Sequence, residues 1–135
     1  MTMKRFTIIS LLIAVLIICG LLLWQHAKLA KDRDMQSKLT GTWALNLYNM
    51  LQDTNTVASD GSFHLQEATG TNISQVTGTW LIKDGDLVET ITSNTDRAHV
   101  RLPHTEIHHI VRLDTDELVE CEYSTNEVTW KKIIQ

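Results

Sequence analysis

The sequence predicts an all-β protein, an antiparallel meander of about seven strands curled into a small barrel or half-barrel, preceded by one transmembrane helix. Three observations carry this. Phe6 to Trp24 contains no charged residue, and about 20 apolar residues cross roughly 30 Å of hydrocarbon as a helix. The phrase Thr-Gly-Thr-Trp occurs twice, at 40–43 and 77–80, each time where a threonine-rich strand would begin. Beyond Thr40 the apolar residues recur with a period of two, interrupted by Asp-Gly pairs at Asp60-Gly61 and Asp84-Gly85. That is the signature of half-buried strands joined by tight hairpins.

Residues 1–24 read as an uncleaved signal-anchor. Met1 to Arg5 is short and basic, and Trp24 closes the apolar run where an aromatic suits the membrane interface. A cleaved signal peptide is the competing reading. Gln25 stands two before Ala27 and Lys28 two before Ala30, so neither alanine completes an Ala-x-Ala site. Lipidation at Cys19 is disfavoured by Ile17 and Ile18 before it and by apolar sequence through Leu23. Cys19 reads instead as a small hydrophobe in the bilayer. Lys4 and Arg5 flank one end of the span, and Lys28, Lys31, Arg33 and Lys38 the other. Charge alone therefore does not orient it. A short basic amino-terminal flank commonly exports the domain on its carboxyl side. The expectation is a single-pass inner-membrane protein with its β-domain on the periplasmic or extracellular side.

Residues 25–39 contain no glycine or proline and are rich in good helix formers. They are expected to continue the membrane helix as a stalk ending at Thr40-Gly41, with a flexible tether as the alternative. Residues 25–135 carry a net charge of −6. An acidic domain without a basic cluster offers nothing to neutralise phosphates, which excludes nucleic acid as a partner. Cys121 is the one cysteine outside the span, so no internal disulfide is expected.

The β-domain occupies residues 40–135. Trp43, Leu45 and Leu47 alternate with polar positions in a first strand, and a polar loop from Asn46 to Ser59 succeeds it. Further strands are expected at Phe63–Gln66, at Thr71–Lys83 with a bend at Gly78, and at Leu87–Thr92. After a polar stretch from Ser93 to Pro103, His104–Leu113 forms a strand with Ile107, His109, Val111 and Leu113 on its inward face. Leu118–Tyr123 places Val119, Cys121 and Tyr123 on one inward face, leaving Glu120 and Glu122 hydrated. Val128–Ile134 closes the meander. Tight turns make consecutive strands antiparallel, and curling covers the apolar face and removes edges.

These residues resemble the small bacterial lipocalin-like domains. The resemblance rests on Gly41-x-Trp43, Asp60-Gly61-Ser62-Phe63, Gly78-x-Trp80 running into Asp84-Gly85-Asp86-Leu87, Ile110-x-x-Leu113 and Asp116-x-Leu118, and covers roughly residues 39–132. It implies a fold rather than an activity. It also implies that Trp43 is structural, closing one end of a barrel. Larger lipocalins set an arginine of the last strand over that tryptophan; here the last strand offers Lys131 and Lys132.

Histidine is the chemically suggestive residue type. His104, Glu106 and His108 share one face of a strand, successive members about 6.5–7 Å apart, and histidines spaced this way can share a tetrahedral metal. His99 is a further candidate ligand from the preceding loop. The competing reading is a solvated polar face. His109, between Ile107 and Val111, reads as a core or cavity histidine. No serine sits on a strand-to-helix elbow, and no glycine-rich loop precedes a helix. Asn72-Ile73-Ser74 matches a glycosylation acceptor without other signs of that pathway. No cofactor and no enzymatic activity are expected. The leading expectation is a membrane-anchored, non-enzymatic interaction module, a small subunit of a membrane protein complex. The alternative is a binder of a small apolar ligand among Trp43, Leu45, Trp80, Ile107 and His109. A weaker one is metal binding through His104, Glu106 and His108.

Overall fold

The structure, a computed structural model, describes residues 3–47, 51–96, 101–122 and 126–133. The chain forms two compact units, Met1–Lys31 and Asp32–Gln135. One helix, α1 (Met3–Leu39), runs through the first unit and ends in the second. From Ser10 to Ala27 every residue is exposed, and this helix is long and apolar enough to cross a membrane. It continues without a break at Gln25 and stops before Thr40-Gly41. There the Thr40 N–H and hydroxyl both donate to the Gln36 carbonyl, closing the last turn.

The second unit is a closed antiparallel barrel. Its strands are β1 (Gly41–Leu47), β2 (Leu51–Val57), β3 (Ser62–Thr69), β4 (Asn72–Lys83), β5 (Asp86–Asn94), β6 (His104–Leu113), β7 (Glu117–Glu122) and β8 (Glu127–Lys132). Each pairs with the next. Closure comes from Trp43 opposite Lys132 and Ala44 opposite Lys131, extended by Ile133 N–H donating to Thr42 O at 2.8 Å.

The expected seven strands are therefore eight. The additional one is β2, inside the segment read as a polar loop. Its alternation was hidden because Asp53 and Asn55 occupy the positions where an ordinary strand would show apolar residues. Trp43 pairs with Asn55 and Leu45 with Asp53, so these polar residues continue the inward rows of β1.

The β4–β5 hairpin forms at Asp84-Gly85 as its sequence requires. Asp84 has φ 61° and Gly85 φ 89°, the two positive values of a type I′ turn. The Asp32 carboxylate accepts the N–H groups of both residues, at 3.2 and 3.1 Å. The expected bend at Gly78 is a register shift between Thr77 and Gly78 in the pairing with β5. A Cβ on Gly78 would stand 2.0 Å from the Thr90 carbonyl oxygen and 2.8 Å from the Phe63 ring. Gly78→Ala is expected to lower the unfolding free energy by about 2 kcal/mol, measured by denaturant titration. An unchanged midpoint would contradict this tight approach.

One end of the barrel is packed by Leu39, Trp43, Val57, Phe63, Trp80, Ile82, Leu87 and Leu118. The Trp80 indole donates to Ala58 O at 2.9 Å. The Trp43 indole donates to Leu39 O at 2.7 Å, and Lys132 Nζ donates to Lys38 O at 2.8 Å. Two side chains of the barrel thus cap orphan carbonyls at the carboxyl end of α1. Lys132 Nζ also lies 5.0 Å from the centre of the Trp43 ring, a cation–π distance.

The faces of β6 are opposite to expectation. Glu106, His108 and Ile110 are partly buried, whereas Ile107 is 46% and Val111 48% exposed, and the His109 side chain is 70% exposed beside Asp86. A register shift between Ile110 and Arg112 resets the phase, so Ile110 and Leu113, three residues apart, both pack against the core. On β7, Leu118 joins the core and Glu120 is 8% exposed; the hydrated reading of Glu120 is overturned. Cys121 is half-buried.

Candidate functional site

Away from the packed end, the barrel interior opens into a cavity of about 200 Å³. Its apolar wall is Leu45, Leu65, Val128 and Trp130, and its polar wall is Asp53, Glu67, His108 and Glu120. Strand alternation explains the composition. Asp53, two before Asn55 on β2, and Glu67, two after Leu65 on β3, extend inward rows into the open half. The carboxylates are oriented by fixed donors. Ala68 N–H donates to Asp53 Oδ1 at 2.9 Å, Ser74 Oγ to Glu67 Oε2 at 3.0 Å, and Trp130 Nε1–H to Glu120 Oε1 at 2.8 Å.

Behind the polar wall lie two more carboxylates. Glu89 of β5 and Glu106 of β6 are directly opposite in the ladder. His108 stands between them and the cavity. Its Nε2 is 3.7 Å from Glu89 Oε2 and 3.9 Å from Glu106 Oε2, and its Nδ1 is 3.9 Å from Glu120 Oε1. Those separations give charge interaction but exceed hydrogen-bond range. Buried His108 Nε2 and Asn55 Oδ1 have no hydrogen-bond partner, which is uncommon for interior polar atoms.

Glu89 is 6% exposed. Burial, the largest cause, pushes its carboxyl up to about 7. His108 opposes this, Glu120 adds to it, the long Asn55 Nδ2 contact at 3.5 Å opposes it, and Glu106 adds to it.

The residues singled out from sequence separate in space. Leu45 lines the cavity, while Trp43 and Trp80 lie in the packed core. Ile107 and His109 face outward and line no interior cavity. Of the histidine strand, Glu106 and His108 come together inside, and His104 Nε2 lies 3.5 Å from Glu106 Oε1 with its side chain 47% exposed. No group of three His, Cys, Asp or Glu side chains is arranged for metal ligation among the described residues, and His99 lies outside them. Sequence reasoning missed Asp53, Asn55, Glu67, Glu89, Glu120 and Trp130. The available signal was polar residues at a period of two, Asp53-x-Asn55 and Glu106-x-His108, on strands of a barrel whose inside is partly polar.

The chain matches no protein-family model and no curated protein.

Proposed function

We propose that the protein is a non-enzymatic ligand-binding module, a lipocalin-like β-barrel held at the bacterial inner membrane by α1, with the barrel outside the cytoplasm. The cavity carries this reading. About 200 Å³ equals the liquid volume of roughly seven waters and falls below the ~300–1,000 Å³ of sites for drug-sized ligands. A molecule of a few carbons matches that volume. Carboxylates dominate the polar wall, so a head that donates hydrogen bonds or carries positive charge is complementary. Leu45, Leu65, Val128 and Trp130 suit a short apolar body. His108 faces carboxylates rather than a nucleophile, which favours binding over group transfer.

Trp130 reports on the cavity because its indole lines it. Titrating the full-length chain in mild detergent with butylammonium, butanol and butyrate is expected to shift tryptophan emission with the amine most strongly. Trp130→Phe is expected to remove that response. A flat response to all three would sink the reading.

An accessory role in a membrane complex is a second reading, favoured by an outward apolar row. Leu81 pairs with Val88 and Val88 with Ile107, and Leu81 and Ile107 are both exposed. A membrane tether raises the local concentration of such a surface near other membrane proteins. Mild-detergent purification of the parent beside a Leu81→Ser, Ile107→Ser variant tests it: a chain that runs alone in both cases counts against the role.

A further inference from the structure

We propose that the carboxylate cluster behind the cavity wall is a proton switch: the Glu89 carboxyl, crowded with Glu106, Glu120 and His108, takes up and releases a proton, and its charge sets how tightly the cavity holds a cationic head. The consequence for binding rests on the ligand-binding reading above; the protonation of Glu89 rests on its burial and on the charged groups around it.

Three carboxylates surround a single imidazole at 3.7–3.9 Å. Ionising all of them places like charges together in a partly dry interior, which one imidazolium cannot offset. Every element packed around Glu89 contributes to this balance. Glu106 is its ladder partner on β6, and His108 lies two residues further along the same strand. Glu120 acts from β7 and the neutral Asn55 from β2, while β4 presents Trp80 opposite Glu89. Burial raises the Glu89 carboxyl most, His108 opposes that rise, and Glu120 and Glu106 add to it.

The cluster is wired to the cavity. Glu89 and Glu106 stand behind His108, while His108 and Glu120 form part of the cavity wall. Glu120 also accepts the Trp130 indole N–H, and both side chains line the cavity. Proton uptake at Glu89 therefore removes negative charge directly behind the His108 side of the wall, and release restores it. A cationic head is held weakly in the protonated form and tightly in the ionised one.

The test uses the full-length chain in mild detergent with glutamate side-chain carboxyls labelled with ¹³C, and butylammonium as the ligand probe. An alkylammonium stays charged between about pH 5.5 and 8.5, as a lysine side chain does, so changes in its affinity report on the protein. One carboxyl is expected to titrate near 7 and to vanish in Glu89→Gln. Glu120→Gln is expected to lower that midpoint and His108→Gln to raise it. Butylammonium affinity is expected to fall about tenfold from pH 8.5 to 5.5, with a smaller fall in Glu89→Gln. The unsubstituted chain alone supplies the midpoint and the affinity profile should a variant fail to fold. Carboxyls that all titrate near the ordinary ~4.3, or a midpoint indifferent to both neighbours, overturn the switch even if butylammonium binds. Coupled titration with no butylammonium binding at any pH instead refutes the ligand reading, and with it the switch's effect on binding.

Discussion

Replacing Trp43 by alanine is expected to lower the unfolding free energy of the barrel by about 4 kcal/mol. Trp43 is 1% exposed, and its removal leaves a large void beside Leu39, which is 0% exposed. Two further interactions disappear: the indole hydrogen bond to Leu39 O and the stacking of Lys132 Nζ over the ring. Trp43→Phe keeps much of the volume and isolates the hydrogen bond, for an expected loss nearer 1 kcal/mol, roughly the net worth of one such bond. Lys132→Met removes the ammonium that bonds Lys38 O. Because Trp43 and Lys132 share the same helix end, the double variant is expected to be non-additive. Denaturant titration of the full-length chain, monitored by near-ultraviolet circular dichroism, measures all three. A Trp43→Ala chain as stable as the parent would show that this end of the barrel is not closed by tryptophan packing.

The second large effect is on stability against pH. Glu89 has an ordinary value of 4.5 and rises to about 7 in the fold. Between those values the folded chain keeps a proton that the unfolded chain has released, so raising the pH favours unfolding. The favourable contribution is complete below 4.5 and lost once the pH passes about 7. A shift of that size corresponds to about 3 kcal/mol. Glu89→Gln removes the ionisable group. The variant is expected to match the parent near pH 4.5 and to exceed its stability by up to about 3 kcal/mol at alkaline pH. Parallel stability curves for the two chains across this range would contradict the buried-carboxylate account.

The parts of the fold that obey local rules were legible. Asp84-Gly85 demands positive φ at both turn positions, and the hairpin has them. The apolar run from Phe6 to Trp24 lies in a single helix, and His104–Leu113 is a strand over that whole range. Two other features were misread for one common reason. A period-two pattern reveals which residues alternate, but the side that faces inward is inferred from hydrophobicity. On β2 the inward Asp53 and Asn55 hid a strand. On β6 the more apolar set, Ile107 and Val111, was assigned to the interior that Glu106 and His108 occupy. Both errors fall where carboxylates replace apolar side chains along the inner rows. The misread positions are therefore the candidate site itself, where local patterning is expected to fail. The shift between Ile110 and Arg112 added to the error, because an extra residue in the ladder changes face without any mark in composition.

The carboxyl end of α1, with Leu39 beneath Trp43 and Lys132 bonded to Lys38 O, turns the barrel into a cup rather than a conduit. Among the described residues, the end beside Leu39 is filled by packed side chains, and the cavity lies away from it. A ligand of the proposed site would therefore enter and leave without passing the helix end.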